Sequence, residues 1–124
     1  MDNERKPDVP VLIAATIDCA DLDRMTRFWG QLLDVEFQVV EHFGFLAHAT
    51  DRKVTLWLQQ VPEAKVGKNR VHLDFVVPDL DAAIERVRSL GGDVGDRHEW
   101  QGHVWRICSD PEGNVFDIMQ AQQG

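Results

Sequence analysis

His72 carries an imidazole and Asp74 a carboxylate, and the two residues lie on one strand-like segment. In 71-VHLDFVV-77 the alternation places His72 and Asp74 on one face and Leu73 and Phe75 on the other. Because a helix needs an apolar sheet face to pack on, we expect Leu73 and Phe75 to lie beneath a helix. His72 and Asp74 then point to the opposite side, where an imidazole could bind a metal or transfer protons.

A second segment, 114-NVFDIMQ-120, adds a carboxylate with the same orientation. Its apolar residues Phe116 and Ile118 are predicted to face the helices, so Asp117 points away from them. Two strands are therefore predicted to send His72 and Asp117 into one cavity.

Three interpretations of this pair stay open at the level of sequence. His72 and Asp117 could form a hydrogen-bonded pair that only fixes the sheet, since buried polar groups need partners. They could instead be ligands of a metal ion. In the third interpretation His72 is a general base that Asp117 or Asp74 orients.

Aromatic residues on neighbouring strand segments are candidates for the wall of such a cavity. Trp57 and Trp105 both fall on segments predicted to flank the site, and either could stack on a planar ligand. The alternative is that they serve cross-strand packing, which is common for aromatics in short strands. Trp29, in a helical segment, is predicted to pack inward.

The elements that position these residues occur twice in the chain. The segment 17-IDCADLDRMTRFWGQLLD-34 aligns without a gap on 75-FVVPDLDAAIERVRSLGG-92. Each copy passes from a strand-like run through Asp-Leu-Asp into apolar residues at helical spacing. Asp21 and Asp79 are predicted to cap the two helices at their N-termini.

Three short strand candidates follow each helix, at 35–40, 43–49 and 54–60, and then at 93–99, 103–108 and 115–120. The stretch 110-DPEGN-114 predicts a tight turn between the last two. The sequence therefore predicts an α+β fold of two βαβββ modules paired into one domain over 1–124. Module one spans about 9–60, the linker 61–69 and module two about 70–121.

Composition and net charge indicate a globular protein and argue against some kinds of partner. The chain has 124 residues, 44% hydrophobic and 27% charged, which is typical of one globular domain. The net charge of −8 argues against nucleic acid and against an anionic membrane surface. With no signal peptide or membrane span recognised, and with Cys19 and Cys108 expected to be reduced and buried, we expect a cytoplasmic protein.

The sequence resembles the vicinal oxygen chelate superfamily, of the glyoxalase/bleomycin-resistance-like kind. The resemblance rests on the paired βαβββ pattern and on 59-QQVPEAKVGKNRVHLDFVVPDLDAAIERVRSLGG-92 followed by 105-WRICSDPEGNVFDI-118, which are similar to an actinobacterial glyoxalase-like subgroup. It implies a cup-shaped mixed and antiparallel sheet with the helices outside. It also implies a homodimer that binds a small molecule in the cup.

The resemblance also implies metal ligands on the first and last strands of each module. Carried over, these positions are Ala14 or Thr16, Gln59, His72 and Asp117. Alanine cannot bind a metal, so the set for Zn, Ni, Fe or Mn is incomplete, and no cofactor is certain. His48 would be the missing imidazole if it reached the cup.

Three hypotheses for the function of the protein are consistent with these residues. The first is a metal-independent protein that binds an aromatic or amphiphilic molecule in the cup, with Trp57, Gln59, Asp74 and Trp105 as contacts. The second is a metal-dependent lyase, isomerase or dioxygenase in which His72 and Asp117 hold the ion. The third is a metal-free enzyme that uses His72 for acid–base catalysis.

Overall fold

The computed structural model describes residues 7–8, 12–40, 46–51 and 54–122, and for 46–51 the backbone alone. Two helices and eight strands lie in this part of the chain. In chain order they are β1 (Ala14–Cys19), α1 (Leu22–Leu33), β2 (Gln38–Val40), β3 (Leu46–Asp51), β4 (Val54–Gln60), β5 (Leu73–Val77), α2 (Leu80–Ser89), β6 (Asp93–Trp100), β7 (His103–Ser109) and β8 (Val115–Gln120).

The strands form two four-stranded sheets with the same internal order, β1-β4-β3-β2 and β5-β8-β7-β6. β1 runs parallel to β4, and β5 runs parallel to β8. All other neighbouring strands are antiparallel. This repetition confirms the predicted α+β fold of two βαβββ modules. No helix in the described ranges is long and apolar enough to cross a membrane.

Both helices begin where the sequence predicted. The side chain of Asp21 accepts a hydrogen bond from the amide of Arg24, and Asp79 accepts one from Ala82 at the same position of the second module. These bonds satisfy amides that have no partner within the first turn. The second helix ends before Gly91, whose φ of +98° lies in the left-handed region that favours glycine.

Strand boundaries differ from the prediction mainly in the first module. The segment predicted at 35–40 is a strand only from Gln38 to Val40. The next, predicted at 43–49, continues to Asp51, and positions 43–45 lie outside the described residues. In the second module, β5 pairs with β8 only from Leu73, opposite Phe116. Val71 lies outside this pairing and is 78% exposed.

The hydrophobic core joins the two modules through α1. Trp29 is 1% exposed, as predicted for a residue packed inward. Its ring centroid lies 5.9 Å from that of Phe75 and 4.8 Å from that of Phe116, both on module two. Phe28 also contacts Phe116, at 6.3 Å. A helix of module one thus packs on strands of module two.

The predicted turn at 110–114 is present and carries a buried carboxylate. Asp110 is 2% exposed and accepts hydrogen bonds from Trp29 Nε1 at 3.2 Å, from the Glu112 amide at 3.0 Å, and from the Asn114 amide and Nδ2 at 2.9 Å each. Burial raises the pKa of Asp110, and these hydrogen bonds oppose that rise. The turn is therefore tied to α1 as well as to its own strands.

Glu112 in the same turn extends this connection to the start of α1. Its two carboxylate oxygens accept hydrogen bonds from the amides of Ala20 and Asp21, each at 2.8 Å. A negative charge at a helix N-terminus is favourable because the helix dipole is positive there. We call Asp110 and Glu112, with their partners on module one, the inter-module clamp.

Candidate functional site

His72, Asp74 and Asp117 come together at the start of β5 and the middle of β8. Asp74 and Asp117 are direct partners in the parallel pairing of these strands. His72 Nε2 lies 3.3 Å from Asp117 Oδ2 and 3.5 Å from Asp74 Oδ1. We call these three side chains the triad.

The orientation of the triad follows the predicted alternation. Phe116 and Ile118, on either side of Asp117, are 1% and 3% exposed, and Leu73 and Phe75 pack against the same core. The triad therefore lies on the side of the second sheet that the helices do not cover. We call this side the open face.

Exposure differs within the triad. The side chain of Asp117 is 17% exposed, whereas those of His72 and Asp74 are 49% and 67% exposed. Burial raises the pKa of the Asp117 carboxyl, the nearby charge of His72 lowers it, and Asp74 raises it again. Burial dominates, because ionising a carboxyl is costly where solvent is largely excluded.

Across the open face, β7 and β6 continue the surface with apolar and aromatic residues. Ile107 lies opposite Asp117, and Trp105 lies opposite Met119, the next residue on that face of β8. Trp105 thus lies on the open face. On its other side Trp105 faces His98 of β6, and the two rings stack with centroids 5.5 Å apart and planes inclined by 17°.

His98 was not singled out from the sequence. The strand 93-DVGDRHEW-100 has no clean alternation of apolar and polar residues, and its register with β7 shifts between Val94 and Arg97. That irregularity changes which side chains reach the open face. His98 could have been found by pairing the β6–β7 hairpin, which places it opposite Trp105.

In module one the corresponding positions hold different side chains. The echo aligns Thr16 with Asp74, and Thr16 pairs with Trp57 as Asp74 pairs with Asp117. Trp57 is therefore the counterpart of Asp117, and Ala14 is the counterpart of His72. Leu56 and Leu58 are buried, so Trp57 and Gln59 share the uncovered side of their sheet, as expected. Gln59 pairs with Asp18, nearer the strand end.

The triad is a group of donors that could hold a metal ion. One nitrogen and two carboxylate oxygens lie within 4.8 Å of one another, and no other group of this kind occurs within the described ranges. Three protein ligands and open positions for water or substrate are typical of catalytic zinc, and carboxylates suit Mn²⁺. Ala14 and Trp57 add no donor from module one, and the side chain of His48 lies outside the described residues.

A groove between the modules adjoins the triad at His72. It has a volume of about 730 Å³, and its wall includes Ala14 and Thr16 of β1 together with Lys65, Lys68 and Asn69 of the linker. The carboxylates of the triad are not part of its wall. Within the triad, His72 is therefore the member that lies at both the groove and the open face.

His103 and the two cysteines have local roles. His103 lies at the edge of the sheet, with Nδ1 3.3 Å from Gln122 Nε2. Cys19 and Cys108 are free and buried, as predicted, and burial raises the pKa of Cys19 to about 12 and of Cys108 to about 11. Thiols this hard to ionise are poor nucleophiles, so neither cysteine is a candidate for catalysis.

Comparisons with known proteins agree with this architecture. The family model described as a glyoxalase-like domain matches residues 14–119. No curated protein matches the chain. Similar solved structures include the fosfomycin resistance protein FosX from Mesorhizobium loti, with 19% identity over 91% of this chain and 92% of that one and a TM-score of 0.71.

Two further structures share the fold across nearly the whole chain. Lactoylglutathione lyase from Agrobacterium tumefaciens is 20% identical over 94% of this chain and 96% of that one, with a TM-score of 0.69. TnmS3, an antibiotic binding protein from Streptomyces sp. CB03234, is 15% identical over 94% and 100%, with a TM-score of 0.70. Homodimerisation and a cytoplasmic location stay predictions.

Proposed function

The chain belongs to the glyoxalase-like domain family, and on that premise we propose that it binds a small aromatic or amphiphilic molecule on the open face. The observation that carries the proposal is the position of the triad beside uncovered apolar side chains. Polar groups that converge at one end of an apolar surface are typical of small-molecule sites, where the apolar part supplies affinity and the polar part fixes orientation.

The surface next to the triad fits this class of ligand. Val76 on β5 is 66% exposed, and Ile107 and Met119 lie next to Asp117 and Trp105 on the same face. A ligand that covers this area gains about 25 cal/mol for each Å² of apolar surface removed from water. The indole of Trp105 offers a flat surface for an aromatic ring.

His72 would then contact a polar group of the ligand. Its Nε2 faces two carboxylates, and its half-exposed ring can still reach an incoming molecule. Sequestration is consistent with one of the similar structures, TnmS3, which is an antibiotic binding protein. Trp57 and Gln59 are proposed as contacts from module one.

A second candidate function is supported by the donor set of the triad. His72, Asp74 and Asp117 would hold a divalent ion, which as a Lewis acid would polarise a carbonyl or diol oxygen of a substrate. Lyase chemistry occurs in one similar structure, lactoylglutathione lyase. In this case Asp117 would be a ligand of the ion, and Trp105 would orient the substrate.

One experiment on tag-free protein tests both candidates. A panel of soluble bicyclic and polycyclic aromatic compounds is screened by thermal shift, and the best binder is titrated by calorimetry against wild type, His72→Ala and the edge variant His103→Ala. We expect His72→Ala to bind at least about tenfold more weakly, the loss that corresponds to one hydrogen bond. His103→Ala should bind like wild type.

Elemental analysis of the same samples, purified without chelators, decides between the candidates. About one equivalent of a divalent metal per chain in wild type and in His103→Ala, lost in His72→Ala, would make the metal-dependent enzyme the better account. A panel in which no compound binds, or equal affinity of wild type and His72→Ala, would contradict the proposed binding function.

A further inference from the structure

His98 and Trp105 form a stacked pair that leaves part of the indole uncovered. Their ring centroids are 5.5 Å apart and their planes differ by 17°. At a contact distance of about 3.5 Å between the planes, this separation corresponds to a lateral offset of about 4 Å. The five-membered imidazole therefore covers one part of the indole face and leaves the other part without a contact from His98.

One nitrogen of His98 lacks a partner. Nε2 is buried from solvent and has no hydrogen-bond partner among the residues that the structure describes. Buried polar atoms in folded proteins nearly always have one, and those that do not often belong to functional sites. No side chain among the described residues supplies this bond, and a bound molecule that reaches the ring would supply it.

We propose that His98 and Trp105 recognise a flat ring that carries a hydrogen-bonding group on its edge, a specificity that rests on the binding function proposed above. A ring stacked on the uncovered part of the indole lies in nearly the same plane as the imidazole. Because the nitrogens of an imidazole form hydrogen bonds within the ring plane, the edge of such a ligand meets His98 edge to edge.

The buried position of Nε2 is compatible with this recognition. A half-turn about the Cβ–Cγ bond keeps the imidazole plane parallel to the indole and exchanges the positions of Nε2 and Cε1. This torsion is roughly two-fold, so both orientations are accessible. In the second orientation Nε2 takes the present position of Cε1, and a ligand that reaches that position receives the bond from His98 without loss of the stacking contact on Trp105.

The pair lies close enough to the triad to belong to the same site. His98 and Asp117 are separated by one intervening strand, β7, and by two positions along the strands, because Trp105 pairs with His98 and with Met119. Their backbones therefore lie about 12 Å apart at the usual dimensions of strands. A positive charge on His98 lowers the pKa of Asp117, which places the two side chains within electrostatic range. A two-ring ligand spans this distance, with one edge at His98 and the other toward the triad.

The test compares 2-naphthol with naphthalene, which have the same rings and differ by one hydroxyl that can donate or accept. Equilibrium dialysis at low probe concentration gives the affinity ratio for wild type, His98→Phe, His98→Gln and the control His103→Phe. We expect wild type and the control to prefer 2-naphthol by about tenfold, the ratio for one hydrogen bond. His98→Phe keeps the stacked ring, so it should bind naphthalene like wild type and show no preference.

His98→Gln keeps a hydrogen-bonding group and should retain part of the preference, which gives a second variant if His98→Phe does not fold. A preference unchanged in His98→Phe, or equal binding of both probes to wild type, would overturn the role of His98 while leaving the binding function intact. Failure of both probes to bind wild type would overturn this inference. The proposed binding function is tested separately by the panel of aromatic compounds described above.

Discussion

The ionised carboxylate of Asp117 lowers the stability of the folded chain. Burial raises the pKa of this carboxyl despite the nearby histidines, so its ionised form is less favourable in the folded chain than in the unfolded chain. A side chain chosen only for stability at this position would carry no charge. Perturbed ionisable groups of this kind concentrate at functional sites, which supports a role for Asp117 beyond fixing the sheet.

The substitution Asp117→Asn tests this through pH. Above the ordinary value of 3.8 and up to the raised pKa, folded wild type binds more protons than the unfolded chain, so its stability falls as pH rises through that window. The amide does not titrate. We therefore expect Asp117→Asn to have a higher free energy of unfolding than wild type at pH 7, with the difference disappearing near pH 3.

Urea unfolding at several pH values measures this difference, with the exposed Asp96→Asn as the matched control. A difference between wild type and Asp117→Asn that stays constant from pH 3 to pH 7 would contradict the account.

The residues of the open face divide into those that alternation predicts and those that it does not. Asp117 was assigned correctly to the uncovered side because Phe116 and Ile118 belong to the core, and His72 because Leu73 and Phe75 pack against that core. His98 lies in a polar strand with a glycine and a shift in register, so its orientation depends on pairing with β7. Strand alternation alone does not encode that pairing.

At the scale of elements, local signals were predictable and long-range ones were not. The caps at Asp21 and Asp79 and the turn at 110–114 each depend on residues within four positions, and the structure confirms them. The inter-module clamp joins Glu112 to amides 92 and 91 residues earlier in the chain. The sequence of the turn predicts its shape but gives no indication of this second role.

Glu112→Gln is the substitution that tests the clamp. One oxygen of the carboxylate becomes an amide NH₂, which faces the N–H of Ala20 or Asp21 and cannot accept its hydrogen bond, and the favourable charge at the helix start is lost. We expect a decrease of about 1–3 kcal/mol in the free energy of unfolding. Amide hydrogen exchange at Ala20 and Asp21 should become faster.

The exposed Glu63→Gln in the linker is the control and should change stability by less than about 0.5 kcal/mol. If Glu112→Gln and Glu63→Gln had equal effects, or if exchange at the start of α1 were unchanged, the clamp would not contribute to holding the modules together.

At the scale of the whole molecule, the two modules share one core although the sequence presents them as repeats. The internal echo predicted their common topology, since each copy encodes its own strands and helix. It did not predict that Phe28 and Trp29 of module one would pack on Phe116 of module two, because contacts between repeats leave no periodic signal. The shared core indicates that the modules unfold together, which is typical of a small domain with one core.

Trp29→Phe tests this cooperativity directly. The smaller ring leaves space between α1 and module two, and it removes the hydrogen bond that Trp29 Nε1 donates to the buried Asp110. We expect a loss of about 2–3 kcal/mol in the free energy of unfolding, whereas Trp100→Phe, at a position 62% exposed, should change it by less than about 0.5 kcal/mol. Because the core is shared, amide exchange measured under mild denaturant should accelerate equally in the β1–β4 and β5–β8 sheets. Acceleration confined to the first sheet, or two separate unfolding transitions in wild type, would mean that each module is stable without the other.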